Sequence, residues 1–379
     1  MKAGRSIIGH RPESTRRAAV SAPLREGGGA AMKGKYMDCQ RQTKGAATGG
    51  VLRAMLRIAA VSAVAVLLVL PASRAAAETP EEAAAHKAEK AAYEARKAAF
   101  RVFAPEPGAP PTVNTQVLAR LGDLTERGIP WDAPVPEYWF PVGEVAKYDI
   151  HWGVFTVGEA TATAQWLRIG DRRFLALTMT AESNGIVEML YPVAEYMQTI
   201  LDPATFLPIC FEKQSSEGRH KTWDITTFDH ARRTGRWESL LRLNPEEFPI
   251  DPDTRDLMGL MYWIRKDPVK AGETRTYRVM TDEKLYELIL EAGQKETLDI
   301  GKPYGKVATL KMEPKGKFNG LFVRKGRMFV WVSDDARCTL CRVTASVPVA
   351  SIKVLLRSIE GPGTDGWITR NPANQKAQP

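Results

Sequence analysis

Residues 154–167 read VFTVGEATATAQWL. Within them Glu159-Ala-Thr-Ala-Thr-Ala-Gln alternates small apolar with polar side chains at a period of two, the pattern of a strand with one buried and one wetted face. Gly153 supplies a turn back to a second extended run at 144–152. Working outward, turn-bounded strands are expected at 173–183, 193–202, 209–216, 221–230 and 236–243, then at 273–281, 284–292, 304–314, 327–333, 341–348 and 351–359. This short, regular spacing predicts an antiparallel meander, because parallel βαβ units would need a crossover helix between strands. Several strands are apolar on both sides, with Met328, Val330 and Val332 opposite Phe329 and Trp331. The second face must then also be covered, by a helix or by closure of the sheet.

One segment changes the period. At 253–265, Leu257, Leu260, Met261 and Ile264 fall at helical spacing, and Asp267-Pro268 ends the run. The expected fold is mainly β: a curved antiparallel sheet or open half-barrel holding this helix in its mouth, with an Ala-rich helix ahead of it. The boundaries expected are 78–103 for the Ala/Glu/Lys-rich helix, 104–139 for a Pro-rich linker with a short helix, 140–360 for the β domain and 361–379 for a disordered tail. Thr79 and Glu82 have capping-box spacing and Pro80 suits the first helical position. The alanine face of that helix buries little, which predicts a solvated or loosely docked element. Trp131, Tyr138, Trp139 and Phe140, spaced by prolines, are expected to pack across the edge of the β domain.

Upstream, Arg53 and Arg57 precede an apolar run from Ile58 to Leu70, followed by Pro71 and then Ala75, Ala76 and Ala77. That order is a secretory signal peptide at 55–77 with cleavage near Ala77. A membrane anchor would need roughly 20 apolar residues. Residues 1–54 are basic and unpatterned, and translation from Met55 or Met32 would remove most of them. The expected location is therefore periplasmic. Of the 53 basic and 44 acidic residues, 13 and 3 lie before Glu78, so the exported part keeps 40 and 41. Its charge balance gives no basis for nucleic-acid binding.

Three sequence blocks carry a resemblance to a known family. Phe140-Pro-Val-Gly143-Glu144, Tyr148-Asp-Ile150-His-Trp152-Gly and Val157-Gly158-Glu159-Ala160 form the first; Asp256, Tyr262 and Arg265 the second; Trp331-Val-Ser333-Asp334-Asp335-Ala-Arg337 the third. In this order, over roughly Phe140 to Glu360, the chain resembles the bacterial domain of unknown function 3108. The resemblance implies an exported envelope protein with a curved antiparallel sheet, and its similarity to lipoprotein-carrier half-barrels implies an apolar ligand. It carries over no catalytic residues. Cys338 and Cys341 depart from the pattern, standing where the family places a basic residue and a proline.

Candidate chemistry is sparse. Cys338-Thr-Leu-Cys341 has the spacing of a redox pair or half a zinc site. In an extended strand the two would lie about 10 Å apart, beyond the roughly 7 Å a disulfide spans, so only a turn would join them. A disulfide involving Cys210 and unpaired buried thiols are the other readings. His220 and His230 lack metal-ligand spacing, and His151 sits between apolar neighbours. Asp334-Asp335 reads as turn chemistry, with Asp334 paired to Arg337; Asp251, Asp253 and Asp256 read as helix capping, lacking a calcium loop's glycine and closing glutamate. Gly361-Pro-Gly363-Thr-Asp-Gly366 precedes no helix and is no nucleotide loop. No metal or cofactor is expected. The reading is a non-enzymatic envelope protein binding a lipid or other apolar ligand through Met258, Met261, Tyr262 and Trp263. The alternatives are an envelope adaptor contacting a partner through 78–116, and a hydrolase or thiol enzyme.

Overall fold

Strand alternation builds one 17-stranded sheet in the computed structural model, which describes residues 80–362 apart from 107, 282–283, 319–320, 324–326 and 348–349. The presequence, the signal peptide at 55–77 and the tail from 363 lie outside the described residues. Helices α1 (Pro80–Ala99) and α2 (Thr115–Leu121) precede a two-residue strand, β1 (Ile129–Pro130). Then β2 (Val145–Trp152), β3 (Phe155–Ile169) and β4 (Arg172–Ser183) form a meander, a short α3 (Gly185–Leu190) intervenes, and β5 (Val193–Leu201), β6 (Pro208–Glu217), β7 (His220–Asp229), β8 (Thr234–Ser239) and β9 (Asn244–Pro249) continue it. Each of β2 to β8 pairs antiparallel with its successor.

The chain then doubles back. A two-residue β10 (Arg255–Asp256) leads into α4 (Leu257–Ile264), and a second meander follows: β11 (Thr274–Thr281), β12 (Lys284–Asp299), β13 (Lys306–Phe318), β14 (Leu321–Val323), β15 (Arg327–Ser333), β16 (Leu340–Val347) and β17 (Ala350–Glu360). Strand β17 pairs with β2, welding the two meanders, while β10 runs parallel to β11. Among the described residues no ladder joins β9 to β10, so this is an open antiparallel sheet with few helices.

The two faces are covered differently. Ala164, Leu175, Leu177, Met197, Leu201, Phe211 and Phe228 point inward and bury Met258 and Tyr262 of α4. On its other side α4 sets Leu260 and Ile264 against Val279, Tyr286 and Leu290 of the second meander. The helix is apolar on two sides because it fills the space between both halves of the curved sheet. The 138–140 strip also enters this interior, correcting the expectation that it lies at an edge. Phe140 is 4 % exposed, its ring 4.8 Å from that of Tyr262, and the Trp139 indole donates to the Tyr262 carbonyl at 2.6 Å. Three large rings gain far more by burial under α4 than at a sheet rim.

The opposite face carries the N-terminal arm. Arg96 at the end of α1 donates to the Leu241 carbonyl at 2.7 Å, Phe100 stacks on Trp223 at 5.7 Å, and the Phe103 N–H donates to the Gln214 side chain at 2.8 Å. Val117 and Leu121 of α2 then seal Leu167, Phe174, Ile200 and Ile225. Residues 100–121 are thus a strap laid across the strands.

Candidate functional site

The three sequence blocks meet at the two ends of α4. At its start, Asp256 is fully buried; its carboxylate accepts from the Gly259 N–H at 3.0 Å and from the Thr199 hydroxyl at 2.7 Å. Burial pushes its pKa up, and the Gly259 and Thr199 hydrogen bonds oppose that. The helix begins at Leu257 rather than 253, because residues 251–254 close a separate turn in which the Thr254 hydroxyl accepts from the Asp251 N–H at 2.9 Å. Asp256 alone of the three aspartates caps.

At the other end, Arg265 is 8 % exposed and holds Glu144 in a two-pronged ion pair at 2.8 and 3.1 Å. Burial pulls the Arg265 pKa down, but the hydrogen bonds and charge of Glu144 outweigh it and leave the guanidinium above its ordinary value. Its Nε donates to the Arg337 carbonyl at 2.8 Å, and its guanidinium lies 5.4 Å from the Phe140 ring centroid. That carbonyl is positioned by the 333–339 turn: the Ser333 hydroxyl donates to Asp335 at 2.7 Å and accepts from the Thr339 N–H at 2.8 Å, and Arg337 pairs with Asp335 at 3.0 Å. Asp334 pairs instead with Lys295 at 2.8 Å, which corrects the expected Asp334–Arg337 pair.

The remaining motif residues are spread through the fold. Gly143 has a φ of 106°, and a Cβ on Gly158 would stand 2.4 Å from the Glu182 carbonyl oxygen, so neither position takes another residue without strain. Trp152 packs beside Ile150 and Val157. Trp331 is buried under Arg342, 3.8 Å from its ring centroid, and donates to Glu296. Trp152, Gly158 and Trp331 lie away from α4.

Cys210, Cys338 and Cys341 are buried and free. Cys338 sits in the turn at φ 48°, so the local geometry is bent, but no bond joins it to Cys341. Burial pushes the Cys338 thiol up to about 11 and Cys341 to about 12, and it raises Cys210 as well. Such thiols are not nucleophiles near neutral pH. Among the described residues no three His, Cys, Asp or Glu side chains converge as a metal site.

Of the four residues expected to bind a ligand, Met258 and Tyr262 are core, Met261 is 37 % exposed, and Trp263 borders an open cleft of about 410 Å³. Its walls are Leu260, Trp263, Thr276 and Tyr277 with Asp253, Arg255, Arg278 and Glu287. Arg255 was not legible as a site residue; its one signal is a cation directly ahead of the capping Asp256 and an apolar helix. A second unforeseen group lies on β5 and β6, where Glu195, Lys213, Ser215 and Glu217 are all buried. The Ser215 hydroxyl donates to Glu195 at 3.1 Å, and burial, with Glu217 adding to it and Lys213 opposing, raises the Glu195 pKa to about 7.

Among solved structures, the chain is similar to a β-barrel-like protein of domain of unknown function 1849 from Brucella abortus, at 8 % identity and a TM-score of 0.42, covering 59 % of this chain and 98 % of that one. A Bacteroides fragilis protein with a YmcC-like fold, provisionally called exported, and a Parabacteroides distasonis protein provisionally called a lipoprotein each match at 10 % identity and a TM-score of 0.24, again over 59 % of this chain and 98 % of theirs. No curated protein sequence matches the chain. The family model described as "Protein of unknown function (DUF3108)" matches residues 147–357, more than half of the sequence and most of the sheet that α4 locks together, and the chain belongs to that family.

Proposed function

We propose that this is a non-enzymatic, exported protein of the cell envelope that binds an amphipathic ligand in the cleft beside α4. The observation that carries this reading is the cleft itself: about 410 Å³, within the range of small-molecule sites, lined by Trp263 and Tyr277 together with charged groups. The ligand lies against the outer flank of the helix, since Met258 and Tyr262 already fill the inside of the sheet. Export rests on the charged, apolar and small-residue order at 55–77. The raised thiol pKa values argue against a thiol enzyme.

The test is native mass spectrometry of the protein purified from the periplasm of an expressing bacterium, before and after organic extraction. A bound mass lost on extraction, and absent from Trp263→Ala, is expected. A Trp263→Ala protein that keeps the same mass would place the ligand elsewhere.

A second reading is favoured by α1, whose side chains are largely exposed and which is held to the sheet near its C-terminal end through Arg96 and Phe100. An adaptor role would use 78–116 against an envelope partner, and crosslinks from Lys87 or Lys90 to one reproducible protein in the periplasm would support it.

A further inference from the structure

Resting on that cleft as the ligand site, we propose that Arg255 is its anchor for an oxyanion, a carboxylate or phosphate, on the bound molecule. The two arginines flanking α4 are both buried, at 6 % exposure for Arg255 and 8 % for Arg265, but of the two only Arg265 is in a salt bridge. Arg265 is paired in both prongs with Glu144. Among the described residues no carboxylate stands within ion-pairing distance of Arg255; its Nη1 donates to the Asp253 carbonyl at 2.8 Å, and its buried Nε has no partner. Asp253 and Asp256 act on it only from beyond ion-pairing distance and do not offset the cost of its burial, which an arriving oxyanion would relieve.

The guanidinium is also held in place. Its carbon lies 3.8 Å from the ring centroid of Trp263, whose other neighbours are Phe206, stacked at 5.9 Å, and Lys266 at 4.7 Å. Stacking on the indole fixes the plane of the fork. The other charges of the cleft are largely spent on each other: Arg278 faces Asp251 at 3.4 Å and Glu287 at 3.7 Å. The Asp256 carboxylate is turned to Thr199 and Gly259. Asp253 remains on the wall as a carboxylate that a second anion would avoid, which favours a single oxyanion at Arg255 with the apolar part of the ligand along Trp263 and Tyr277.

The experiment is isothermal titration calorimetry of the periplasm-purified protein at pH 8 with decanoate, 1-decanol and inorganic phosphate, on wild type, Arg255→Met and Arg255→Lys, each checked for folding by circular dichroism. Decanoate should bind wild type more tightly than decanol, and Arg255→Met should weaken decanoate about ten- to a hundred-fold while leaving decanol unchanged. If Arg255→Met does not fold, Arg255→Lys decides: it keeps the charge without the fork and should still lose several-fold on decanoate, and an undiminished affinity overturns the anchor. Equal binding of decanoate and decanol, indifferent to Arg255, would sink the oxyanion assignment and leave the amphipathic-ligand reading standing. Arg255-dependent binding of phosphate with neither decanoate nor decanol would do the reverse and identify a free anion as the ligand. Binding of none of the three overturns both.

Discussion

Replacing Glu195 by Gln should stabilise the protein above neutral pH and remove part of its pH dependence. Glu195 is 4 % exposed on β5, between Ala181 of β4 and Ser215 of β6, with Lys213 and Glu217 as its charged neighbours. Burial lifts its carboxyl from the ordinary 4.5 to about 7, so the folded protein holds a proton that the unfolded chain releases. Because the folded pKa is the higher one, this group's stabilisation is fully present below pH 4.5 and is lost as pH rises toward 7. At about 1.36 kcal/mol per pH unit over that interval, the loss amounts to about 3 kcal/mol, of which about 2.5 falls between pH 5 and pH 8. Glutamine imitates the protonated acid: its oxygen can accept from Ser215 and its NH₂ can donate toward Glu217. The assay is urea unfolding of wild type and Glu195→Gln at pH 5, 6, 7 and 8. The variant should gain on the wild type by about 2.5 kcal/mol between the extremes, with most of the change below pH 7. A difference between the two proteins that is flat across this range, or one that favours wild type as pH rises, would refute the reasoning that burial outweighs Lys213 at this site.

Three further substitutions or treatments test the frame around α4. Arg265→Met strands the buried Glu144 carboxylate and should cost about 3–5 kcal/mol by urea unfolding, while Glu144→Leu with Arg265→Met should cost less than Arg265→Met alone; a single-variant loss under about 1 kcal/mol would show that the pair is solvated. Asp256→Ala removes the helix cap and leaves Thr199 without its acceptor, for about 1–3 kcal/mol by thermal or urea denaturation, and Asp256→Asn should keep most of that. With thiols at about 11 and 12, Cys338 and Cys341 should remain unlabelled by iodoacetamide at pH 8 in the native protein under conditions that label Cys210, Cys338 and Cys341 in urea, read by intact mass; rapid native labelling of Cys338 would mean that the 333–339 turn opens.

Strand positions were legible because period two is local. The run at 327–333 is found as β15 at the same residues, and 154–167 as β3 within two residues at each end. What escaped prediction lacked that signal. Strand β9, Asn244-Pro-Glu-Glu-Phe-Pro249, carries two prolines and no alternation, which a strand tolerates only at an edge, and β9 is one. Strand β12 continues past Ala292 to Asp299 through an irregularity between Ala292 and Lys295, where Gly293 hides the continuation from a periodicity reading. The strap was read as a linker because its prolines promise extension without saying what they lie on; its contacts to Gln214 and Trp223 are more than 100 residues away in sequence.

The candidate site was less legible, for a physical reason visible in the pairs themselves. Glu144 and Arg265 are 121 residues apart, and Arg265 and Arg337 are 72 apart. Such contacts exist only once β17 has paired with β2, because that pairing brings the end of the second meander beside the start of the first. The three sequence blocks are therefore three parts of one lock: the first supplies Glu144, the second Asp256 and Arg265 at either end of α4, and the third the turn whose carbonyl receives Arg265. An array in which Glu144 is paired with Arg265 and Asp256 caps the helix and accepts from Thr199 is built to hold a helix still, and its residues answer for the fold. Arg255, which none of the blocks includes, is buried outside any salt bridge among the described residues. A reading guided by the motifs points at the lock, while the group with unspent chemistry stands one residue ahead of it, held against Trp263 at the wall of the cleft.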